Sequence, residues 1–92
     1  MKKYIYSYFD QLIEAYSKPI ICDVAPEVFI EQLKRALKSK TNDVVKAVES
    51  GLVCVYLGQF DDTTGHFEQE TITDLLYCNE YLESLKENKE VQ

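Results

Sequence analysis

Polar and apolar residues alternate strictly at the start of the chain. In residues 3–9, KYIYSYF, Tyr4, Tyr6 and Tyr8 fall on one side and Ile5, Ser7 and Phe9 on the other. A period of two with aromatic and β-branched residues predicts a strand. Asp10-Gln11 suits a turn, and residues 12–18, LIEAYSK, are expected to return as a second strand closed by Pro19. The period then changes. Phe29, Ile30, Leu33, Ala36 and Leu37 form one apolar stripe, which predicts an amphipathic helix over 26–39. Asp23 is the expected N-cap, and Pro26 falls in the first turn, where its missing N–H costs nothing.

Residues 41–51, TNDVVKAVESG, predict a short helix capped by Thr41, Asn42 or Asp43 and stopped by Gly51. Leu52 to Phe60 is dense in β formers and should be a central strand. Gly58 inside it marks a bulge or a close backbone approach. Asp61-Asp62-Thr63-Thr64-Gly65 reads as a hairpin loop with Gly65 at positive φ, and the strand returns from His66 to Glu68 or further. Thr71 is expected to open the last helix, with Asp74 completing an approximate capping box. Its seam would be Leu75, Cys78, Leu82 and Leu85, joined by Ile72, Leu76 and Tyr81. Residues 86–92 are charged and expected to fray. These elements predict one α+β domain over residues 1–92, a small antiparallel sheet of two hairpins with two main helices packed on one face.

Composition narrows the class. At 92 residues the chain is short, and a domain of this size buries only about 60–65% of its unfolded surface, which favours oligomers. A homodimer is therefore expected. The hydrophobic fraction of 46% is enough for a core rather than a disordered chain. No long apolar run marks a leader or a membrane span, so a soluble, cytoplasmic protein is expected. Net charge is −6 but uneven: residues 1–46 carry eight basic against six acidic groups, residues 47–92 two against ten. The acidic balance argues against bulk binding to duplex DNA while allowing a local basic patch.

Motifs for chemistry are sparse. Cys22, Cys54 and Cys78 have no paired short spacing, so free thiols are expected rather than a zinc site with His66. Asp61 and Asp62 serve a turn more readily than a cation. No nucleophile motif, P-loop or dinucleotide fingerprint is present, and neither catalysis, metal, cofactor nor small-molecule substrate is expected. The tyrosines leave two readings open. They pack under a helix with their hydroxyls reaching out, or they lie exposed beside cations as a stacking platform for single-stranded nucleic acid. The face of Ile5, Ser7 and Phe9 is equally able to be the covered one.

Two blocks, MKKYIYSYFD with its extended continuation to Pro19 and VYLGQFDDTTG, resemble the small non-structural protein of gokushovirus-type microviruses, single-stranded DNA phages of the family Microviridae. The residues that carry the resemblance are Tyr4, Tyr6, Ser7, Phe9, Asp10, Tyr16, Pro19, Tyr56, Gly58, Phe60, Asp61, Asp62 and Gly65, through roughly the first two-thirds of the chain. The helix expected from Thr71 matches nothing there. The resemblance implies a non-enzymatic role in the phage genome cycle in the host bacterial cytoplasm, on single-stranded DNA or the replication and packaging complex. The expected contacts are Lys2, Lys3, Tyr4, Tyr6, Tyr8, Lys18, Lys34, Arg35 and Lys38. The alternative is a homodimeric adaptor that engages a host or phage protein through its acidic C-terminal half.

Overall fold

The computed structural model describes residues 1–39 and 41–91, and the side chains of all of these except 43, 47, 48 and 86–91. Lys40, expected in the basic end of the first helix, lies outside the described residues, as does Gln92. The fold is α+β: a five-stranded antiparallel sheet with three helices. In chain order the elements are β1 (Lys2–Asp10), β2 (Ala15–Tyr16), β3 (Ile20–Cys22), α1 (Pro26–Leu37), α2 (Asn42–Ser50), β4 (Leu52–Asp61), β5 (Phe67–Tyr77) and α3 (Cys78–Val91).

β1 and β4 are the central strands. β4 pairs with β1 along its whole length, from Lys2 opposite Asp61 to Asp10 opposite Leu52. The other edge of β1 is shared by two short strands. β2 sets Tyr16 opposite Phe9, and β3 sets Ile21 opposite Ile5. The expected second strand over 12–18 is therefore mostly turn. Asp10 explains this: its carboxylate accepts from the Leu12 and Ile13 N–H groups, and Glu14 takes a left-handed φ of 54°. Ser17 continues the pairing through its side chain, which accepts from the Tyr8 N–H and lies 3.2 Å from the Ser7 hydroxyl.

α1 starts at Pro26 as expected, but its N-cap is Ala25 in extended conformation, without a side-chain cap. Asp23 forms an ion pair with Lys3 instead. Along the expected stripe, Leu37 is buried and Phe29, Ile30 and Leu33 are half-buried, while Ala36 is exposed. Thr41 caps α2, its hydroxyl accepting from the Val44 N–H, and Gly51 ends the helix with φ 62°.

The main departure from the sequence reading is at Thr71. Residues 71–77 are strand, not helix, and α3 begins at Cys78 and continues to Val91 without ending at Leu85. β4 is ten residues long, and β5 pairs along its outer edge, with Tyr77 opposite Val53, Thr73 opposite Tyr56 and Phe67 opposite Phe60, while the β-branched run Thr71-Ile72-Thr73 favours the extended state. The match is imperfect, and the register of β4 against β5 shifts between Cys54 and Val55 and again between Tyr56 and Gly58. Gly58 sits at the second shift. A Cβ there would lie 2.3 Å from the Glu68 carbonyl oxygen, so the expected close approach is real.

The core lies between the tyrosine face of the sheet and the helices. Tyr6 is fully buried, its ring stacked on Phe29 of α1 at 3.9 Å and 15°. Its hydroxyl donates to the Val24 carbonyl at 2.5 Å. Cys54 and Cys78 close the other end of this layer, with α3 packed against α1 and α2.

Tyr6→Ala is expected to cost about 3–5 kcal/mol, and Tyr6→Phe, which leaves Val24 without its donor, about 1–2 kcal/mol. Urea unfolding of both variants at constant m-value checks this. Gly58→Ala is expected to destabilise by about 1–3 kcal/mol, in the same measurement, by forcing β5 away from β4.

Candidate functional site

The residues expected to form a nucleic-acid platform are not assembled as one. Tyr6 is under α1 and presents no ring to a ligand. Tyr4 and Tyr8 are half-buried on the same face. Tyr4 packs against Tyr56 at 6.5 Å, and burial pushes the Tyr8 phenol up to about 12. Two of the cations are already engaged. Lys3 pairs with Asp23 and lies 3.9 Å from Asp62, and Lys34 lies 3.9 Å from Glu31 and 5.4 Å from the centre of the Tyr81 ring. Lys2, Lys18, Arg35 and Lys38 are exposed but sit on different elements, with Lys2 in β1, Lys18 before β3 and the other two at the end of α1. Arg35 in the last turn of α1 complements the helix dipole.

The acid at the hairpin tip has an internal use. The Met1 α-amino group lies 2.9 Å from Asp62 Oδ1 and 3.4 Å from Asp61 Oδ1, and donates to Thr63 Oγ1 at 2.8 Å. The Asp62 N–H donates to the Met1 carbonyl. Asp61 also accepts from the Thr63 N–H, and Gly65 closes the loop at φ 78° with its N–H on the Asp61 carbonyl. The loop N–H groups, chiefly that of Thr63, and the Met1 amine hold the Asp61 carboxyl below its ordinary value. The amine does the same to Asp62, and Asp62 first among its partners raises the amine. His66 is exposed, and among the described residues no three His, Cys, Asp or Glu side chains converge on a metal-holding arrangement.

The sheet's second face carries part of the exposed apolar surface; Leu12 and Ile13 in the turn after β1, Val28 of α1 and Val45 of α2 are exposed elsewhere. Register places Ile5, Ser7 and Phe9 of β1 on this face, beside Ile21 of β3 and Tyr16 of β2. From the other side come Val53, Val55 and Phe60 of β4, then Phe67, Asp74 and Tyr77 of β5. Ile5, Val53 and Val55 form a buried floor, each at most 3% exposed. Tyr16, Ile21 and Phe67 around it are 52–55% exposed. At one end Tyr16, Phe9, Val53 and Tyr77 lie in a single row across four strands. They line a cavity of about 230 Å³ together with Gln11 and Asp74. The Phe9 and Tyr16 rings are tilted at 55° with centres 4.9 Å apart. The Tyr77 hydroxyl donates to Asp74 at 2.6 Å, and that bond holds the phenol above its ordinary value.

Sequence reasoning misses this row because local periodicity places Asp74 and Tyr77 in a helix. The β-branched Thr71-Ile72-Thr73 run was the signal that could have found them. Comparison with family models, with curated proteins and with solved structures found no match.

The thiols should divide by burial. Cys54 and Cys78 are buried, and burial pushes Cys54 up to about 12, whereas Cys22 is only half-buried. Titration of the native protein with a chromogenic disulfide at pH 8 is expected to modify Cys22 first, the other two reacting only on unfolding. The Met1–Asp61–Asp62 clamp predicts a stability plateau. The carboxyls are lowered, so their contribution is full above the ordinary value of 3.8 and is lost as pH falls below it. The amine is raised, so its contribution is full below 8.0 and is lost as pH rises beyond it. Asp61→Asn with Asp62→Asn should flatten both flanks in thermal melts across pH.

Proposed function

We propose that this chain is a non-enzymatic adaptor that binds a protein partner on the open face of its sheet. The observation that carries the reading is the exposure of Tyr16, Ile21 and Phe67 around a floor of Ile5, Val53 and Val55. Exposed apolar side chains that share one face with a buried floor suit a protein interface, and here they run across the sheet from Tyr16 at one corner to Phe67 at the other. The occupant is a basic protein. β5 brings Asp74 onto the face itself, opposite Val55. Binding of single-stranded DNA through the tyrosines is not favoured, because Tyr6 is packed under α1. The resemblance to the microviral non-structural protein supplies the setting: the genome cycle of a single-stranded DNA phage, in the cytoplasm of its bacterial host. Among the described residues no helix is long and apolar enough to cross a membrane.

The test is a pairwise binding screen of the purified chain against each protein encoded by the same genome. It runs beside anisotropy of a labelled single-stranded oligonucleotide at about 50 and 200 mM salt. The expected result is one protein partner whose binding is lost in Ile21→Asp, with no saturable oligonucleotide binding. Salt-sensitive oligonucleotide binding lost on charge reversal at Lys2, Lys18, Arg35 and Lys38 would overturn the reading. Sedimentation equilibrium that shows a dimer, dissociated by the same Ile21→Asp change, would assign the face to a second copy.

A further inference from the structure

The geometry points to an arginine-binding site at the end of the open face, where Phe9, Tyr16 and Tyr77 flank Val53 and Asp74 supplies the counter-charge. This assignment rests on the adaptor reading for the source of the arginine, a side chain presented by the protein partner, but the site is defined by its own residues.

The row explains the shape. Phe9 and Tyr77 are both cross-strand partners of Val53, one on each side. Their backbones are thus two strand spacings apart, about 9–10 Å. Val53 between them is small and 3% exposed, so it forms a floor rather than filling the gap. A flat group in van der Waals contact on both sides needs about 7–8 Å between its walls, twice the carbon–carbon contact distance. The backbone spacing on either side of Val53 leaves room for one planar group. Tyr16 extends the Phe9 wall outward, its ring 4.9 Å from that of Phe9.

The polar groups select charge. Asp74 offers its carboxylate, and the Tyr77 hydroxyl is turned towards it as a donor, which leaves the phenol oxygen as an acceptor. Gln11 has its amide nitrogen on the Gly51 carbonyl at 2.8 Å, leaving its amide oxygen and one N–H. Apart from that N–H and the Tyr16 hydroxyl, the cavity presents acceptors and ring faces. Among the described residues no lysine or arginine pairs with Asp74, and its only side-chain hydrogen bond there is from Tyr77. A ring face is the negative end of its quadrupole and attracts a cation. Of the cationic side chains, guanidinium matches best. It is planar, stacks on aromatic faces, and carries five donors for the acceptors at its rim. A lysine would fill the slot as a point charge without stacking.

The experiment uses the tripeptide Gly-Arg-Gly against Gly-citrulline-Gly, in which a neutral urea replaces the guanidinium at nearly constant shape. The readout is the aromatic NMR spectrum of the full chain. Saturable shifts confined to the Phe9, Tyr16 and Tyr77 rings are expected with the arginine peptide, with binding at least about tenfold weaker for citrulline. Asp74→Asn, an isosteric change at an exposed position, should remove the preference while leaving the spectrum otherwise native. Equal binding of the two peptides, or no shifts at these rings with the arginine peptide, would overturn the assignment. A site that binds the arginine peptide while the pairwise screen yields no partner would support the site and count against the adaptor reading alone. A partner lost on Ile21→Asp but indifferent to Asp74→Asn would do the reverse.

Discussion

The structure depends on one packing arrangement, the Tyr6 ring held flat between the central strand and α1. Tyr6 lies near the middle of β1, which pairs on one edge with β4 and on the other with β2 and β3. Its ring meets Phe29, and its hydroxyl bonds the Val24 carbonyl. That bond fixes the extended residues through which the chain leaves β3 and enters the helix at Pro26. One side chain thus sets the height of the helix above the sheet and the point where the helix begins. It also determines which face is core. With Tyr4, Tyr6 and Tyr8 on the covered side, Ile5 and Phe9 must face away. The exposed aromatic and aliphatic groups beside them follow from that choice.

A second constraint acts through β4. Its outer partner, β5, is matched by two register shifts rather than by regular pairing. Each shift changes which side chains emerge on which face. Gly58 tolerates the tighter of the two because it has no Cβ to meet the Glu68 carbonyl. The shift between Cys54 and Val55 falls between Asp74 and Tyr77, so these residues, three apart, both come out on the open side, opposite Val55 and Val53. The cavity at that end is thus a product of the irregular pairing within it.

Much of this was legible in the sequence, where the signal was local. The alternation of residues 3–9, the stripe of α1, the Thr41 cap, Gly51 as a stop and Gly58 as a close approach are each written in a short window. The β4–β5 turn was equally plain in Asp61 to Gly65. What was not legible depended on distant partners. Thr71 to Tyr77 has Ile72, Leu75 and Leu76 at helical spacing, and pairing with β4 makes it a strand. Asp23 looks like an N-cap until Lys3, twenty residues away, takes it. The acidic tip looked like solubilising charge because nothing local shows that Met1 reaches it. The open face was foreseen as one of two alternatives. Periodicity separates the faces of a strand but does not say which one a helix will cover.

The pairing of β1 with β4 has a consequence for how the molecule is made. Asp61 is the partner of Lys2, so the central pair joins two segments with two short strands and two helices between them. Contacts this distant in sequence close late, because the entropy of the intervening chain must be overcome before they form. A ribosome adding about 5–20 residues per second takes roughly 2–8 s to supply the segment between β1 and β4. During that interval Ile5 and Phe9 have no Val53 or Val55 beside them, and the slot bounded by Tyr77 does not exist. The open face is therefore among the last features of the chain to form, and it exists in full only on a finished domain.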